Sequence, residues 1–339
     1  MEIVNPTPFA AAPAAVADLD GADLLVVIVK ATYALDGQGG MAPAEAQREV
    51  QLADTFVGEE GASSVAYASD LAIGKTSTDV VLTGAAYPRR PGDREGEVGV
   101  QVGAAKASFR VFGEREWQSA LGVTRMSRPE PFERIPLGYE RAAGGTDASP
   151  SAERDHDFDA RNPVGVGFRA KRTRRVVDAS PLPNFERPDA LVRTPDDRPP
   201  PAPVGFVAPG WQPRAAFAGT YDAAWAETRS PRLPTDFDVR FFDVAPDGLT
   251  VPGRLRGDEH GAALGVSPQG LLRFTLPGLA LTAEVTSRAG GVLPIDLGLD
   301  RVVVDGDAGL HGEVVLVWSG GLRPPRDLYD LGPITLSTP

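Results

Sequence analysis

Short blocks of alternating or continuous apolar residues recur toward both ends of this chain, bounded by glycine, proline or Asp-Gly turns. Such blocks predict β-strands. Asp23 to Leu35 is rich in β-branched residues, lacks proline and ends at Asp36-Gly37. Its unbroken run Leu24-Leu25-Val26-Val27-Ile28-Val29 implies burial on both faces, as in a central strand. Thr78 to Tyr87 is a second candidate. Between Glu97 and Phe112 the pattern alternates, with Val98, Val100 and Val102 on one face and then Phe109 and Val111. A turn around Gly103-Ala104-Ala105 makes this an antiparallel hairpin with one wet face. Toward the C-terminus, Leu271 to Leu276, Leu281 to Thr286, Arg301 to Val304 and Glu313 to Trp318 read as strands. Pro277-Gly278, Gly290-Gly291 and Asp305-Gly306-Asp307 separate them, a spacing that suggests an antiparallel meander and hence a sandwich or open barrel.

From about Pro129 to Arg240 periodicity disappears and prolines cluster, as at Pro195, Pro199, Pro200, Pro201, Pro203 and Pro209. A disordered linker would lack aromatics, yet this stretch and its margin hold Phe185, Phe206, Trp211, Phe217, Tyr221, Trp225, Phe237, Phe241 and Phe242. The expectation is ordered, irregular chain wrapped over the sheets. Loops of this length usually carry function. One short helix is expected at Asp222 to Thr228, with Thr220 as its N-cap. The fold class expected is mainly β: two antiparallel β-sandwich or open-barrel lobes with long ordered Pro/Gly-rich loops and few short helices. The N-terminal β lobe takes residues 1–128, the loop-rich aromatic segment 129–240, and the C-terminal antiparallel β lobe 241–339.

Length supports two lobes, since 339 residues exceed what one hydrophobic core usually organises. The 38 glycines and 32 prolines break long helices, which excludes helical bundles and coiled coils. A net charge of −12 argues against phosphate neutralisation, so neither nucleic acid nor an anionic membrane is an expected partner. Cysteine is absent, which removes disulfides, thiolate metal sites and cysteine nucleophiles. The opening Met1-Glu2-Ile3-Val4-Asn5-Pro6 has no basic region followed by an apolar stretch, so no signal peptide is expected. No apolar run approaches the roughly 20 residues that span a bilayer. A cytoplasmic location is the expectation.

Several motifs invite a chemical reading. Gly74-Lys75-Thr76 lacks the first glycine of a phosphate-binding loop, since Ser69 stands there, and Thr78-Asp79-Val80-Val81-Leu82 after it reads as strand. A solvated turn is the better reading. Asp155-His156-Asp157-Phe158-Asp159 alternates carboxylates but has Ala160 and Val166 where a calcium loop needs glycine and glutamate. A solvated acidic loop is favoured, with a loose cation site the alternative. Asp305-Gly306-Asp307 reads as a hairpin tip. The three histidines, His156, His260 and His311, form no H-E-x-x-H motif, and Ser267 misses the nucleophile elbow. Lys171-Arg172-Thr173-Arg174-Arg175 is a basic run, read as a solvated loop or a contact for an acidic surface. Gly165-Val166-Gly167 is too short for a dinucleotide fingerprint, because Ala170 fills the third glycine position. No catalytic residue, cofactor or metal is expected.

The segment Pro131-Phe132-Glu133-Arg134-Ile135-Pro136-Leu137-Gly138-Tyr139-Glu140-Arg141-Ala142-Ala143-Gly144-Gly145 carries a family resemblance. With it, in order, come Asn5 to Phe9, Ser63-Ser64 to Ser69-Asp70-Leu71, Thr78-Asp79-Val80, Arg161-Asn162-Pro163-Val164-Gly165 and Pro181-Leu182-Pro183-Asn184. Trp211-Gln212-Pro213-Arg214, Gly219-Thr220-Tyr221-Asp222 with Trp225, Pro234, Asp236-Phe237-Asp238, Arg240-Phe241-Phe242 and Leu255-Arg256-Gly257 complete the series. The chain resembles a bacterial domain-of-unknown-function family encoded beside PAAR and VgrG spike proteins in type VI secretion effector clusters. Ala143 departs from the family pattern, which has an aromatic before the two glycines, and the C-terminal strands match loosely.

The resemblance implies a cytoplasmic adaptor or chaperone, not an enzyme, that stabilises a secreted effector and helps load it onto the PAAR/VgrG spike. Its partners are then the effector and the spike protein, and it is a monomer or low-order oligomer. Aromatic and arginine side chains carry most contact energy at protein interfaces. Phe206, Trp211, Arg214, Tyr221, Trp225, Arg240 and Phe242 are therefore the candidate partner-binding residues, the alternative being that they pin the loops onto the sheets. Glu133, Arg134, Tyr139, Glu140, Arg141 and Asn162 are read as a buried salt-bridge network that shapes the loops. A structural part of a contractile tail or baseplate is the second functional reading, and a hydrolase with an unrecognised site the third.

Overall fold

A computed structural model describes residues 1–149, 156–171, 178–288 and 290–338. The chain is mainly β, with long irregular loops and few short helices. In chain order the strands that build the main sheets are β1 (Ile3–Val4), β2 (Ala10–Ala17), β3 (Asp23–Leu35), β4 (Ser77–Thr83), β5 (Glu95–Val102) and β6 (Ala105–Phe112). After the loop segment follow β7 (Thr250–Pro252), β8 (His260–Leu264), β9 (Leu272–Thr275), β10 (Thr282–Ser287), β11 (Val292–Asp296), β12 (Gly298–Asp305), β13 (Glu313–Leu322) and β14 (Leu331–Ser337).

The largest sheet has the order β7-β4-β12-β13-β3-β2, with Met41–Pro43 also paired to β3. Its neighbours are antiparallel except β4 and β12, which run parallel. The second sheet runs from Phe185–Glu186 through β6, β5 and β8 to β9, and the third has the order β1-β14-β10-β11. All three are open, not closed into barrels. The strand at Asp23 to Leu35 has the bounds its pattern predicts, and Leu24 to Tyr33 are buried without a break, as expected for a strand covered on both faces. The β5–β6 hairpin buries Val98, Val100, Val102, Phe109 and Val111 and leaves Glu97, Gln101 and Lys106 exposed.

The pairing of distant strands corrects two expectations. Residues 1–128 and 241–339 do not build separate sheets, because β12 and β13 insert between β4 and β3, and β8 pairs with β5. Nor do the C-terminal strands form one meander. β9 belongs to the second sheet, β10 and β11 to the third, and β12 with β13 to the largest. The physical reason is that β3 and β4 are buried on both faces and need backbone partners along both edges. One connected hydrophobic core therefore spans both ends of the chain. Among the described residues no helix is long and apolar enough to cross a membrane.

Candidate interaction surface

The loop segment is ordered where it is described, and its anchors are interior. Phe206 is fully buried, forms an isolated bridge with Val65, and packs its ring 5.3 Å from that of Tyr67. Trp211 is buried edge-on against Tyr139, ring centroids 5.1 Å apart. Arg214 is buried too, donating from Nε to the Phe241 carbonyl at 2.7 Å and from Nη1 to the Val207 carbonyl at 2.9 Å. Burial holds its guanidinium pKa below the ordinary value. These three are not available to a partner in this fold. Phe206 pins the loop to the strand residues Val65 and Tyr67, while Trp211 and Arg214 tie the loop to itself, which corrects their reading as contact residues.

The other four candidates lie at the surface, on residues 217–242. Here α1 (Ala223–Thr228) has no buried residue. Its N-cap is Asp222, whose carboxylate accepts from the Trp225 amide at 2.8 Å. Thr220, the expected cap, instead donates its amide and hydroxyl to Asp236 at 3.0 and 2.7 Å. Tyr221 is exposed and meets the half-buried Trp225 edge-on, centroids 4.7 Å apart. Phe237, Phe241 and Phe242 form a half-buried trio. Arg240 lies over the Phe217 ring at 4.3 Å and pairs with Asp238. Beside them opens a groove of about 270 Å³ whose lining includes Pro213, Phe217, Arg240, Pro246, Asp247 and Gly248.

This aromatic rim is mounted on the β2–β3 turn. Arg229 donates to the Leu19 carbonyl at 3.1 Å, and Trp225 Nε1 donates to the Arg232 carbonyl at 2.8 Å. Arg232 lies over Gly21, whose φ is +84° and where an added Cβ would sit 2.7 Å from Arg232 Cδ. The positive φ favours glycine there, and a larger residue would also displace the Arg232 side chain.

The motif around Tyr139 is a hydrogen-bond hub, which corrects its reading as a buried salt-bridge network. Asn162 is fully buried, and its amide donates to the carbonyls of Tyr139 at 2.8 Å and Ala143 at 3.0 Å. Glu140 accepts the Ser64 amide at 2.7 Å and hydroxyl at 2.6 Å. Arg141 binds Glu114 at 2.8 Å and Asn184 at 3.1 Å near the surface. Arg134 is exposed and pairs with Asp307, and Glu133 is exposed outside the hub. Gly144 has φ +142°, with Asn162 O 2.3 Å from where a Cβ would lie, so the twin glycines let Asn162 close on the turn. Asn162→Ala is expected to cost about 1–3 kcal/mol by stranding buried carbonyls. Urea denaturation measures it, and an unchanged midpoint would remove the hub's role.

The buried charges lie beneath this surface, across the largest sheet. In register run Thr250, Asp79, Arg301, Val317 and Lys30. Lys30 Nζ donates to Asp70 Oδ2 at 3.0 Å, Tyr67 hydroxyl to Asp70 Oδ1 at 2.9 Å, and Arg301 Nη1 to Asp70 Oδ1 at 3.2 Å. Asp79 accepts from Lys75 Nζ at 3.0 Å, the Val244 amide at 2.8 Å and the Thr250 hydroxyl at 2.8 Å. Lys75 also meets Asp243 and the Phe242 carbonyl, so Gly74-Lys75-Thr76 is no solvated turn; its lysine is buried and ties the sheet to the aromatic rim. Lys30 and Arg301 belong to no motif, although a lysine within an apolar strand is itself a signal of a buried counter-charge.

Asp300, one residue before Arg301, is buried with Arg254 at 2.8 Å and Ser319. Burial outweighs the nearby cations and pushes its pKa up to about 6. Between about pH 4 and pH 6 the folded state therefore holds more proton than the unfolded one, so stability falls as pH rises through that window. Asp300→Asn is expected to flatten the slope in denaturant midpoints taken across it; an unchanged slope would assign the dependence elsewhere.

The acidic loop is less solvated than expected. Asp159 is buried against Arg161, at 2.6 Å from Nη2, while Asp157 and Phe158 pair with Thr146 and Asp147; Asp155 lies outside the described residues. Of the basic run only Lys171 is described, and it is exposed; Arg172 to Arg175 lie outside. Among the described residues no group of three or more His, Asp or Glu is placed to hold a metal ion.

An open-sheet β scaffold carrying an ordered aromatic loop face is the class of protein these features define. A bacterial family model, described as an uncharacterized protein conserved in bacteria (DUF2169), matches residues 20–319. The chain belongs to that family. Searches of curated proteins and of solved structures returned no match.

Proposed function

We propose that this protein is a cytoplasmic adaptor and chaperone that binds a secreted type VI effector and helps seat it on a PAAR/VgrG spike. It acts by contact between polypeptides and not by turnover of a small molecule. The observation that carries the reading is the rim at residues 217–242, where Tyr221, Trp225, Arg240 and Phe242 stay at the surface while Trp211 and Arg214 hold the segment from beneath. A preorganised aromatic face loses little entropy on binding. The choice of partners in this reading rests on the resemblance of the motifs alone. The negative charge of the chain, −12, supports solubility of the loaded complex.

Production of the effector encoded beside this chain, with and without it, tests the reading. The expected result is a higher soluble yield and a defined complex of one or a few copies on size exclusion. Co-purification with tail or sheath parts but never with the effector would move the assignment to a structural component. Turnover of a substrate by the purified chain would overturn it.

A further inference from the structure

Away from the aromatic rim, strands Trp117–Ala120 and Val123–Met126 form a separate hairpin. Every residue from Ala120 to Met126 is exposed, so the hairpin stands off the sheets. Its two-residue turn is Leu121-Gly122, with φ of 51° and 78°. Positive φ at both central positions selects Asn, Asp or Gly at the first, and a leucine there is strained. That leucine is 103% exposed, with Val123 at 65% beside it. Neither local conformation nor the core accounts for an apolar side chain at this position.

The base of the hairpin is rigid. Trp117 packs with Leu182 and Val192 in a small cluster apart from the main core. Trp117 donates its amide to the Ser180 carbonyl at 2.9 Å, and the Ser119 amide donates to Asp178 at 2.7 Å. The mount fixes the direction in which the tip points. Charge adds a second constraint. From Trp117 to Arg128 the chain carries Arg125 and Arg128 and no carboxylate, within a protein of net charge −12. Both arginines are exposed, and neither has an ion pair among the described residues.

We infer that this hairpin is a second docking element, inserting Leu121 and Val123 into an apolar socket of a partner protein whose rim carries carboxylates for Arg125 and Arg128. A convex apolar tip fits a concave partner, and two exposed arginines without ion pairs among the described residues favour a rim of opposite charge. The hairpin is independent of the aromatic rim, so an adaptor holding two proteins has one face for each.

The test uses the full chain with the effector and the spike protein encoded beside it as probes. The aromatic rim takes the effector in the proposed reading, so a benzophenone amino acid at position 121 is expected to crosslink to the spike protein, at an apolar residue flanked by Asp or Glu; a crosslink to the effector alone would overturn the inference. Leu121→Asn is expected to weaken that complex by about tenfold or more. It relaxes the turn, so its thermal midpoint should hold or rise, which separates lost binding from lost fold. Exchanging Arg125 and Arg128 for Gln should weaken the same complex and abolish its salt dependence, and exchanging them for Glu should reverse it, so that added salt strengthens binding. If wild type binds the effector through Trp225 and Leu121→Asn binds the spike protein as tightly as wild type does, this inference fails and the adaptor reading stands. If neither probe binds wild type, both fail. Leu121-dependent flotation with phosphatidylcholine–phosphatidylglycerol vesicles, without a protein crosslink, would assign the tip to a membrane and overturn the inference.

Discussion

Replacing Asp70 by Ala is expected to lower stability by about 3–5 kcal/mol, enough to threaten folding in a chain of ordinary stability. The carboxylate sits between two buried cations, Lys30 and Arg301, and also accepts the Gln51 amide at 2.9 Å. Its removal leaves buried Lys30 without a carboxylate and Arg301 with the carbonyls of Ala68 and Ser69, at 2.9 and 2.8 Å, and the field of Asp79. Lys30 is already disfavoured there: burial draws its ammonium pKa down, against the pull of Asp70. Equilibrium unfolding in urea checks the expectation, with Asp70→Asn as an intermediate case that keeps an acceptor. A loss below about 1 kcal/mol, the range of exposed pairs, would mean that the charged row is solvated and contributes little.

The second large effect separates two tryptophans. Trp225→Ala is expected to weaken effector binding by about 2 kcal/mol, roughly 30-fold, with the thermal midpoint little changed. Phe242→Ala should act alike. Trp211→Ala should do the opposite, because its ring fills a buried site against Tyr139. There the expected result is destabilisation of about 3–5 kcal/mol, with binding lost only as far as the fold is lost. Isothermal titration on the soluble variants, paired with thermal melts, reads both quantities. If Trp225→Ala melted early and kept its affinity, the rim would be structural.

The two tryptophans also mark where sequence reading runs out. Local pattern was enough for β3, whose apolar run sets its bounds, and for the β5–β6 hairpin, whose alternation assigns each valine a face. It also gives a short helix at Asp222 to Thr228, observed at Ala223–Thr228, but not that Asp222 caps it while Thr220 serves Asp236. The parallel pairing of β4 with β12 joins strands far apart in the chain, and no local period encodes such a partner. In the proline-rich segment no period exists to distinguish inside from outside. Trp211 and Trp225 therefore look alike as residues, and only packing separates an anchor from a contact. Asp70 and Asp79 were visible as motif positions, but their roles depend on Lys30, Lys75 and Arg301, which the sheet brings to them.

The shape of the proposed interface follows from this division. A row of paired charges, reached through Lys75 and Asp243, fastens the chain just below Phe242. Above it, aromatic side chains are held at the surface by backbone turns and caps. Substitutions below should be read in stability and those above in affinity.

Hydrogen–deuterium exchange on the free chain and on its complex with the effector measures the central claim most directly. The account predicts slow exchange at the amides of Trp211 and Val244 in the free protein, and new protection on binding concentrated in residues 217–242. Fast exchange throughout that segment in the free chain, or a complex that protects other surfaces and leaves it unchanged, would contradict it.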